Sequence, residues 1–494
     1  MHTEDFNMSP YLMIVAVLIP MVGGILVPIL PYNKKGQKIY IEAVTIVTSI
    51  LMAFIICNRP NGNVVLFSFT RQLTISFRLD GLGSVFATIV SFLWPFSVLY
   101  ALEYMRHEKH QSVFFTFYLI TYGVTLGIAM AEDIVTLYFF YEMLTLVTVP
   151  LVIHTLTREA IHAARTYLYY SLGGAAFAFI CMIFILNYGS TSVFTYGGVL
   201  DVSNLGNKAD ILRFIFVICF CGFSVKAAMF PFSGWLPKAG VAPTPVTALL
   251  HAVAVVKAGA FATMRITYFS FGTELLYGSW AQKVVMCLTI FTIVYGCSRA
   301  LKETHLKRRL AYSTVSNLSY ILFGVTLMSP LGLMGALMHM VCHALMKICS
   351  FFCAGAVMHQ TGKNYIHELD GLGKKMPLTF GIFTLAGMAL MGLPGLSGFI
   401  SKWYLATAAV ESGLPLGYAG VGAILISALL TAIYMMSISV RAFFPSVDTV
   451  EQGDYHDPNW MMLLPLFTFV VLIVFIGLHP STLIGLIENV VYGG

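Results

Sequence analysis

The sequence predicts an all-α polytopic membrane protein with about 14 transmembrane helices. The first observation is composition: 58% of the 494 residues are hydrophobic and 10% are charged, against roughly 25% charged residues in soluble globular domains. The second is that the apolar residues form continuous runs of about twenty, the length that crosses a bilayer core as a helix. Continuous rather than alternating runs favour helices over a barrel. The formal net charge of +6 lies mostly in short loops, so it gives no reason to expect nucleic-acid binding.

Fourteen apolar windows can be marked along the chain. They lie near residues 11–31, 39–57, 80–102, 111–131, 133–154, 162–187, 210–229, 245–268, 284–302, 308–328, 331–358, 377–410, 418–441 and 460–479. An even number of spans would put both termini on the same side of the membrane.

The basic residues test this count, because the cytoplasmic loops of membrane proteins collect Lys and Arg. When the loop after the first window is placed in the cytoplasm, 17 basic residues fall on the cytoplasmic side, namely Lys34, Lys35, Lys38, Arg106, Lys109, Arg158, Arg165, Lys238, Arg299, Lys302, Lys307, Arg308, Arg309, Lys363, Lys374, Lys375 and Arg441. The opposite side receives 7, namely Arg59, Arg71, Arg78, Lys208, Arg213, Arg265 and Lys283. The bias predicts that both termini face outward.

The seventh and twelfth windows are interrupted by similar sequences. Residues 226–236 read Lys-Ala-Ala-Met-Phe-Pro-Phe-Ser-Gly-Trp-Leu, and residues 392–402 read Gly-Leu-Pro-Gly-Leu-Ser-Gly-Phe-Ile-Ser-Lys. Proline removes a helix donor and clashes with the preceding turn. We therefore expect broken helices at both places, around Pro231 with Gly234 and around Pro394 with Gly398. Paired broken helices in two halves of a chain indicate an internal repeat with an ion site at the breaks.

The two breaks are five windows apart, which predicts that spans 4–8 repeat as spans 9–13. Because each unit would contain an odd number of spans, the two five-helix repeats would be inverted in the membrane. The expected organisation is an N-terminal three-helix segment over residues 1–110, a first repeat over 111–268, a second repeat over 284–443, and a C-terminal helix and tail over 444–494.

Five charged residues lie inside the apolar windows, well away from the loops. Four are lysines and one is an acid: Lys226, Lys257, Lys347, Lys402 and Glu142. Each lysine at mid-bilayer depth costs roughly 2.5–3.5 kcal/mol on insertion scales, and intramembrane charges usually mark ion pathways. These residues therefore form the first candidate site. The alternative is that Glu142 belongs to a structural ion pair that joins two helices.

The eleventh window adds histidines to this set. His339, His343 and Lys347 are spaced by four residues, so they share one face of a helix over about 12 Å of rise. This stripe is typical of a hydrated proton path, although a metal site made from the two histidines is the alternative. In the eighth window His251 precedes Lys257 by six residues and is an equally plausible core residue.

No cofactor and no metal site are expected. The nine cysteines are almost all inside apolar runs and lack the spacing of a zinc or iron–sulfur site. Glycine-rich stretches lack the strand–turn–helix context of a nucleotide site. No catalytic chemistry is visible in this chain, although it could be a subunit of a redox-driven ion pump.

These motifs together resemble the antiporter-like membrane subunits of respiratory complex I, of the Mrp-type multisubunit sodium/proton antiporters and of the energy-converting membrane hydrogenases. The resemblance covers nearly the whole chain and is strongest over residues 130–410. It is carried by the mid-window Glu142, by Lys226 before the first break, and by Lys257. The His339-x-x-x-His343-Ala-Leu-Met-Lys347 run and the Leu-Pro-Gly-Leu-Ser-Gly-Phe-Ile-Ser-Lys402 run complete it.

The resemblance implies one proton channel in a multi-pass subunit of a prokaryotic plasma-membrane complex, with other membrane subunits as partners. Glu142 and Lys226 would be the gating pair, and Lys257 with His251 would be the central relay. Lys347 with His339 and His343 would pass the proton on from the central relay, and Lys402 would be the terminal lysine of the channel. A lysine rather than a glutamate at 402, and the absence of a long lateral helix, favour the D-type subunit of the Mrp antiporters or its hydrogenase counterpart.

Other classes of function stay open at this stage. The chain could be a proton-pumping subunit of NADH-quinone oxidoreductase, a stand-alone secondary transporter for an organic solute, or a structural membrane subunit without conduction. The lysine-rich sites are strung across several helices and not gathered around one pocket, which argues against the solute transporter.

The charge bias generates a test of the topology. Reporter fusions in the segment 299–309 should report a cytoplasmic location, because this segment holds the densest group of basic residues. Fusions at both termini should report the opposite side. An external signal from 299–309 would show that a span has been miscounted.

Overall fold

The computed structural model describes residues 9–31, 33–60, 62–70, 73–204, 206–445 and 453–492. Nearly all of this part of the chain is helical. Its α-helices are α1 Tyr11–Leu26, α2 Lys34–Asn58, α3 Gly81–Tyr104, α4 Gln111–Ala129, α5 Ile134–Val152, α6 Arg158–Tyr188, α7 Ala209–Ser224, α8 Trp235–Ala239, α9 Thr244–Ala252, α10 Val255–Met264, α11 Thr273–Leu276, α12 Trp280–Lys302, α13 Leu306–Thr326, α14 Pro330–Thr361, α15 Pro377–Met391, α16 Ser397–Glu411, α17 Pro415–Phe443, α18 Trp460–Leu478 and α19 Ser481–Val491.

Helical residues occupy every apolar window marked in the sequence. Within the described residues, ten helices are long and apolar enough to cross a membrane, and α1, α15 and α19 are shorter apolar helices. α19 lies beyond the last window and was expected only as part of a tail. The acidic stretch 446–452 lies outside the described residues.

The eighth window differs from the expectation of one continuous helix. α9 ends at Ala252 and α10 begins at Val255, so the chain leaves helical geometry at Val253 and Ala254. The run Arg265–Phe271 then continues as a π-helix, a form that is rare and occurs mostly in short pieces near functional sites. His251 and Lys257 are consequently on two separate short helices.

Two parts of the bundle are buried from all sides. In the most apolar 18-residue stretch, all residues of Thr244–Phe271 and 94% of those of α14 are buried. A helix that is apolar all round belongs in the interior of a bundle. In the corresponding stretch of α2, 28% of the residues are buried, and α2 exposes large apolar side chains such as Ile50 and Phe54. The histidine and lysine stripe of α14 is therefore in the interior of the bundle, while one face of α2 is not covered by the described chain.

A small β-hairpin connects α2 with α3. Its strands, β1 Val64–Ser68 and β2 Thr74–Phe77, are antiparallel, with Val64 opposite Phe77. Phe77 also forms a bridge with Ala131 between α4 and α5. This hairpin lies between the second and third apolar windows, where two strands this short give no clear alternation in the sequence.

Three basic residues that the charge count placed in loops or at span ends are buried, which the sequence did not reveal. Arg265 is 1% exposed and forms two hydrogen bonds with Asp80, of which Nη2 to Oδ1 is 2.6 Å. Lys307 donates to the Ala242 carbonyl at 2.9 Å. Arg309 donates to the Tyr434 carbonyl at 3.0 Å. Hydropathy windows place residues near a span end, but they do not show which way the side chain points.

The Arg265–Asp80 pair generates a stability prediction. Arg265→Gln leaves the Asp80 carboxylate without its cation, and breaking a buried pair costs about 3–5 kcal/mol. We expect a lower midpoint of thermal unfolding in detergent. The matched control is Arg213→Gln, since Arg213 pairs with Asp210 at 3.0 Å where the carboxylate is exposed, and exposed pairs contribute about 0–1 kcal/mol. Equal shifts for the two variants would show that the Arg265–Asp80 pair is not a structural lock.

Candidate functional site

The first interruption lies directly after α7. Lys226 is in the turn that follows Ser224, and Ala228 has a φ of 55° in the left-handed region. Pro231 has no N–H to continue a helix, and residues Phe232–Gly234 form a single 3₁₀ turn before α8. Trp235 Nε1 donates to the Val225 carbonyl at 2.9 Å, which holds the returning chain against the end of α7. The interruption places the Lys226 side chain against α5.

The second interruption separates α15 from α16. Gly392 and Gly395 have φ of 93° and 87°, which favour glycine. A Cβ at Gly398 would overlap the carbonyl oxygen of Ala389, so only glycine permits this close approach of α16 to α15. In a continuous helix the Leu390 carbonyl would accept from residue 394, but Pro394 has no N–H. Lys402 Nζ donates to this carbonyl instead, at 2.7 Å.

Glu142 and Lys226 lie together at the first interruption. Glu142 Oε1 is 3.8 Å from Lys226 Nζ, which is an ion-pair distance and too long for a hydrogen bond. The Lys226 ammonium donates to the Tyr141 carbonyl and lies 3.3 Å from the centre of the Tyr141 ring. The Tyr141 hydroxyl in turn donates to the Phe223 carbonyl at 2.9 Å. The cation is thus held by a carboxylate, a main-chain carbonyl and an aromatic face.

Lys257 and His343 form a short contact between two buried helices. Lys257 Nζ is 2.6 Å from His343 Nδ1, and both residues are completely buried. Lysine in its charged form can only donate, so the imidazole must accept at Nδ1 when the ammonium is present. Among the described residues, no carboxylate forms an ion pair with Lys257. An unpaired buried charge is costly, so a charged Lys257 depends on the lone pair of His343 Nδ1 for its stabilisation.

Polar side chains continue from His343 along α14 to α16. The ring centres of His343 and His339 are 5.8 Å apart. His339 Nδ1 is 2.9 Å from Ser401 Oγ, and Ser401 precedes Lys402 in the sequence. The Tyr320 ring contacts both groups, with its centre 5.1 Å from the His339 ring and 5.3 Å from Lys402 Nζ.

Lys347 points away from this line. Its Nζ donates to the Leu310 carbonyl at 3.1 Å and to Ser313 Oγ at 2.7 Å. The Tyr434 hydroxyl donates to the same serine at 2.8 Å. The hydrogen bonds of Lys347 therefore connect α14 with α13 and, through Ser313, with α17, and none of them is to Lys402.

His251 is not brought together with Lys257. Its ring is completely buried, is centred 4.8 Å from the Phe351 ring, and has no hydrogen bond at either nitrogen. The break at Val253 separates it from Lys257, whose hydrogen-bond partner is His343. The central contact of the structure is thus Lys257 with His343, whereas the resemblance implied Lys257 with His251.

Several polar partners were missed by the sequence analysis. They are the carbonyl and ring of Tyr141, the ring of Tyr320, and the hydroxyl groups of Ser313, Ser401 and Tyr434. Serine and tyrosine are common in membrane helices, so nothing in the sequence distinguishes these from others. Only the adjacency of Ser401 and Lys402 offered a signal.

Two cavities that are lined in part by charged residues lie beside the first interruption and beside the C-terminal part of α16. One of about 660 Å³ is lined by Gly234 at the first interruption together with Glu159, His305 and Arg308. Burial lowers the pKa of the His305 imidazole in the loop before α13, and the adjacent Lys307 and Arg308 lower it further. A second cavity of about 600 Å³ is lined by Glu274 and Glu411 and by residues of α16, the helix that carries Lys402.

Comparison with protein families gives two matches along this chain. Residues 131–431 match the model described as NADH:quinone oxidoreductase/Mrp antiporter, transmembrane. Residues 67–115 match the model for the N-terminus of chain 5 of NADH-ubiquinone oxidoreductase, complex I. The first match covers more than half of the chain and contains every candidate site residue.

Individual relatives agree with these matches. The chain is 33% identical to NADH-quinone oxidoreductase subunit N of Desulforudis audaxviator over 377 residues, which cover 74% of this chain and 72% of that protein. It is 29% identical to a probable K⁺/H⁺ antiporter A/B subunit of Rhizobium meliloti over 484 residues. That match covers 96% of this chain but 48% of the antiporter protein, so the chain spans about half the length of that relative.

The fold has a close counterpart among solved structures. The Mrp complex from Dietzia sp. contains a chain that superposes with a TM-score of 0.85 at 24% identity, over 98% of this chain and 52% of that one. At this identity the superposition shows the fold alone. Together with the family match over residues 131–431, it shows that this chain is a helical membrane protein that belongs to the NADH:quinone oxidoreductase/Mrp antiporter transmembrane family.

Proposed function

We propose that this chain is a proton-translocating subunit of a multisubunit membrane complex. The observation that carries the proposal is the 2.6 Å contact between Lys257 and His343, two completely buried bases on different helices. Around it the candidate residues form a line from Glu142 and Lys226, through Lys257, His343 and His339, to Lys402. Lys347 and His251 would be proton-binding groups beside this line and not members of it.

The central step is a proton transfer between two nitrogens. Charged Lys257 donates its proton to His343 Nδ1, which leaves a neutral amine and an imidazolium. Imidazolium carries a proton on each ring nitrogen, so His343 can then release one from Nε2. Because its ring centre is 5.8 Å from that of His339, the onward step needs a ring reorientation or one bridging water. Protonated lysine has no acceptor, so this line carries protons, and any sodium path would lie elsewhere.

Glu142 would control the first step through its charge. At about 4 Å, two unit charges interact by about 4 kcal/mol at the effective dielectric constant typical of proteins. Lys226 therefore keeps its proton while Glu142 is ionised nearby, and releases it more easily when the carboxylate moves away or is neutralised. Gly259, two residues beyond Lys257, packs directly against the Lys226 backbone. A movement of the Lys226 backbone would therefore displace α10, the helix that carries Lys257.

The membrane arrangement is also part of the proposal. We infer fourteen crossings with both termini outside in a prokaryotic plasma membrane, and inverted repeats over 111–268 and 284–443, flanked by segments 1–110 and 444–494. The two interrupted helices, each with a buried lysine hydrogen-bonded to a main-chain carbonyl, support the repeat. The cavity at the first interruption gathers Arg158, Arg299 and Arg308 at one end of the bundle, which supports the orientation.

The relatives support two kinds of complex. An Mrp-type antiporter with this chain as its D-type subunit, or the hydrogenase-linked counterpart, is favoured by Lys402 and by the superposition on the Dietzia Mrp complex. A proton-pumping subunit of NADH-quinone oxidoreductase is the second candidate, favoured by the 33% identity with the Desulforudis protein. In either complex the partners would be other membrane subunits, including related antiporter-like chains.

The gating pair gives one test. Glu142→Gln removes the charge that stabilises Lys226 but keeps the size of the side chain, so we expect an assembled complex with at least a severalfold loss of proton or cation flux in vesicles. Glu488→Gln, the same change at an exposed carboxylate of α19, should keep normal flux. Normal flux in an assembled Glu142→Gln complex would remove Glu142 from the mechanism.

The terminal lysine gives a second test. Arginine keeps the positive charge but is effectively never deprotonated in proteins, so Lys402→Arg should assemble and lose most of the proton flux, as should Lys402→Ala. Lys302→Arg, at an exposed lysine, is the control. If the arginine variant transported almost normally while the alanine variant was inactive or unassembled, Lys402 would be a structural cation.

A further inference from the structure

A second charged site lies away from the proposed relay, where the ends of α2, α3 and α4 meet. A cavity of about 480 Å³ there is lined by Lys34, Lys35 and Lys38 of α2 and by Arg106, which follows α3. The apolar residues Ile41, Leu102 and Phe115 also line it. The lining thus combines positively charged and apolar side chains.

The positive charge of this cavity is not balanced within the described chain. Arg106 forms an ion pair with Glu103 at 3.5 Å, but among the described residues no carboxylate pairs with Lys34, Lys35 or Lys38. Glu42, one turn beyond Lys38, has a buried carboxylate oxygen without a hydrogen bond and forms no ion pair with these lysines.

The position of the lysines makes the imbalance greater. They occupy the first two turns of α2, whose N-cap is Asn33. The helix dipole disfavours cations at a helix N-terminus, so three lysines here repel both the dipole and one another. An anion bound between them would relieve both effects.

One lysine of the cavity, Lys35, lies on a face of α2 whose apolar side chains are exposed. Immediately after the lysines, α2 presents exposed apolar side chains at Ile39 and Ile46, and further along at Ile50. No described element of this chain covers that face. A ligand for this site therefore needs a negative charge at the level of the lysines and an apolar part that continues along α2.

We propose that this cavity binds an anionic glycerophospholipid, with its phosphate between Lys34, Lys35 and Lys38 and an acyl chain along α2. Basic clusters next to a membrane helix attract anionic headgroups. The apolar residues of the cavity lining and the exposed apolar face of α2 would contact the acyl chains of the lipid. A bound lipid would join α2 to the ends of α3 and α4. The rival occupant is an acidic side chain of another subunit.

The test uses the full chain in nanodiscs of mixed phosphatidylcholine and phosphatidylglycerol, with retained lipid counted by native mass spectrometry. Wild type should retain phosphatidylglycerol in preference to phosphatidylcholine. Lys35→Gln combined with Lys38→Gln should lower that retention roughly tenfold or more. The matched control is Lys302→Gln combined with Lys374→Gln, which removes two exposed lysines that do not line the cavity and should leave retention unchanged.

Folding is checked by the thermal midpoint in phosphatidylcholine alone, which should not be lower in either variant than in the wild type, because the cavity variant loses repulsion and not a partner. Soluble glycerol phosphate should not displace the lipid, because it has no acyl chain. Equal retention by the cavity variant, an equal loss in the control variant, or displacement by glycerol phosphate would each overturn the proposal. So would unchanged retention together with loss of a co-purifying subunit, which would assign the lysines to a protein partner.

Discussion

The structure depends on how ammonium groups are accommodated where there is almost no water. Four buried lysines, Lys226, Lys307, Lys347 and Lys402, each donate to a main-chain carbonyl. Only Lys226 also has a carboxylate within ion-pair distance in the described chain. A carbonyl solvates an ammonium without fixing its charge as firmly as a carboxylate would. These lysines are therefore stabilised enough to be buried and still free to lose a proton.

Main-chain carbonyls are scarce inside a membrane bundle, because helices use nearly all of them internally. The interruption at Pro394 frees the carbonyl of Leu390, which Lys402 then uses. The connection between α8 and α9 provides Ala242 for Lys307. Lys226 and Lys347 instead donate to the carbonyls of Tyr141 and Leu310, which lie within α5 and α13. The breaks are thus one source of polar groups for the buried lysines, and not only a way of turning the chain.

Much of the fold was predictable from the sequence, and so was the burial of the four lysines that lie inside apolar windows. Continuous apolar runs reveal helices because the bilayer fixes their length, and proline with glycine marks a break because of its backbone chemistry. The break between Ala252 and Val255 has neither residue, so only the packing of the completed bundle reveals it. The burial of Arg265 was missed because a span end can point a side chain inward or outward.

Pairings across helices were the least accessible to sequence reasoning. His343 and Lys257 are 86 residues apart, and His339 and Ser401 are 62 residues apart. Which residues meet depends on the rotation of each helix about its axis, which hydropathy does not specify. The sequence therefore identified the bases but paired Lys257 with its neighbour in the chain, whereas the structure pairs it with a residue of α14.

Ser401 and Lys402 are consecutive residues of one helix, and this has a mechanical consequence. Their side chains leave α16 about 100° apart, one towards His339 and the other towards the carbonyl of Leu390. The close contact of Gly398 with Ala389 allows α16 little sideways movement, so it acts as a pivot. A small twist of α16 would have to strain both hydrogen bonds together. A change in the hydrogen bond of Lys402 with Leu390 would then be accompanied by a change in that of Ser401 with His339.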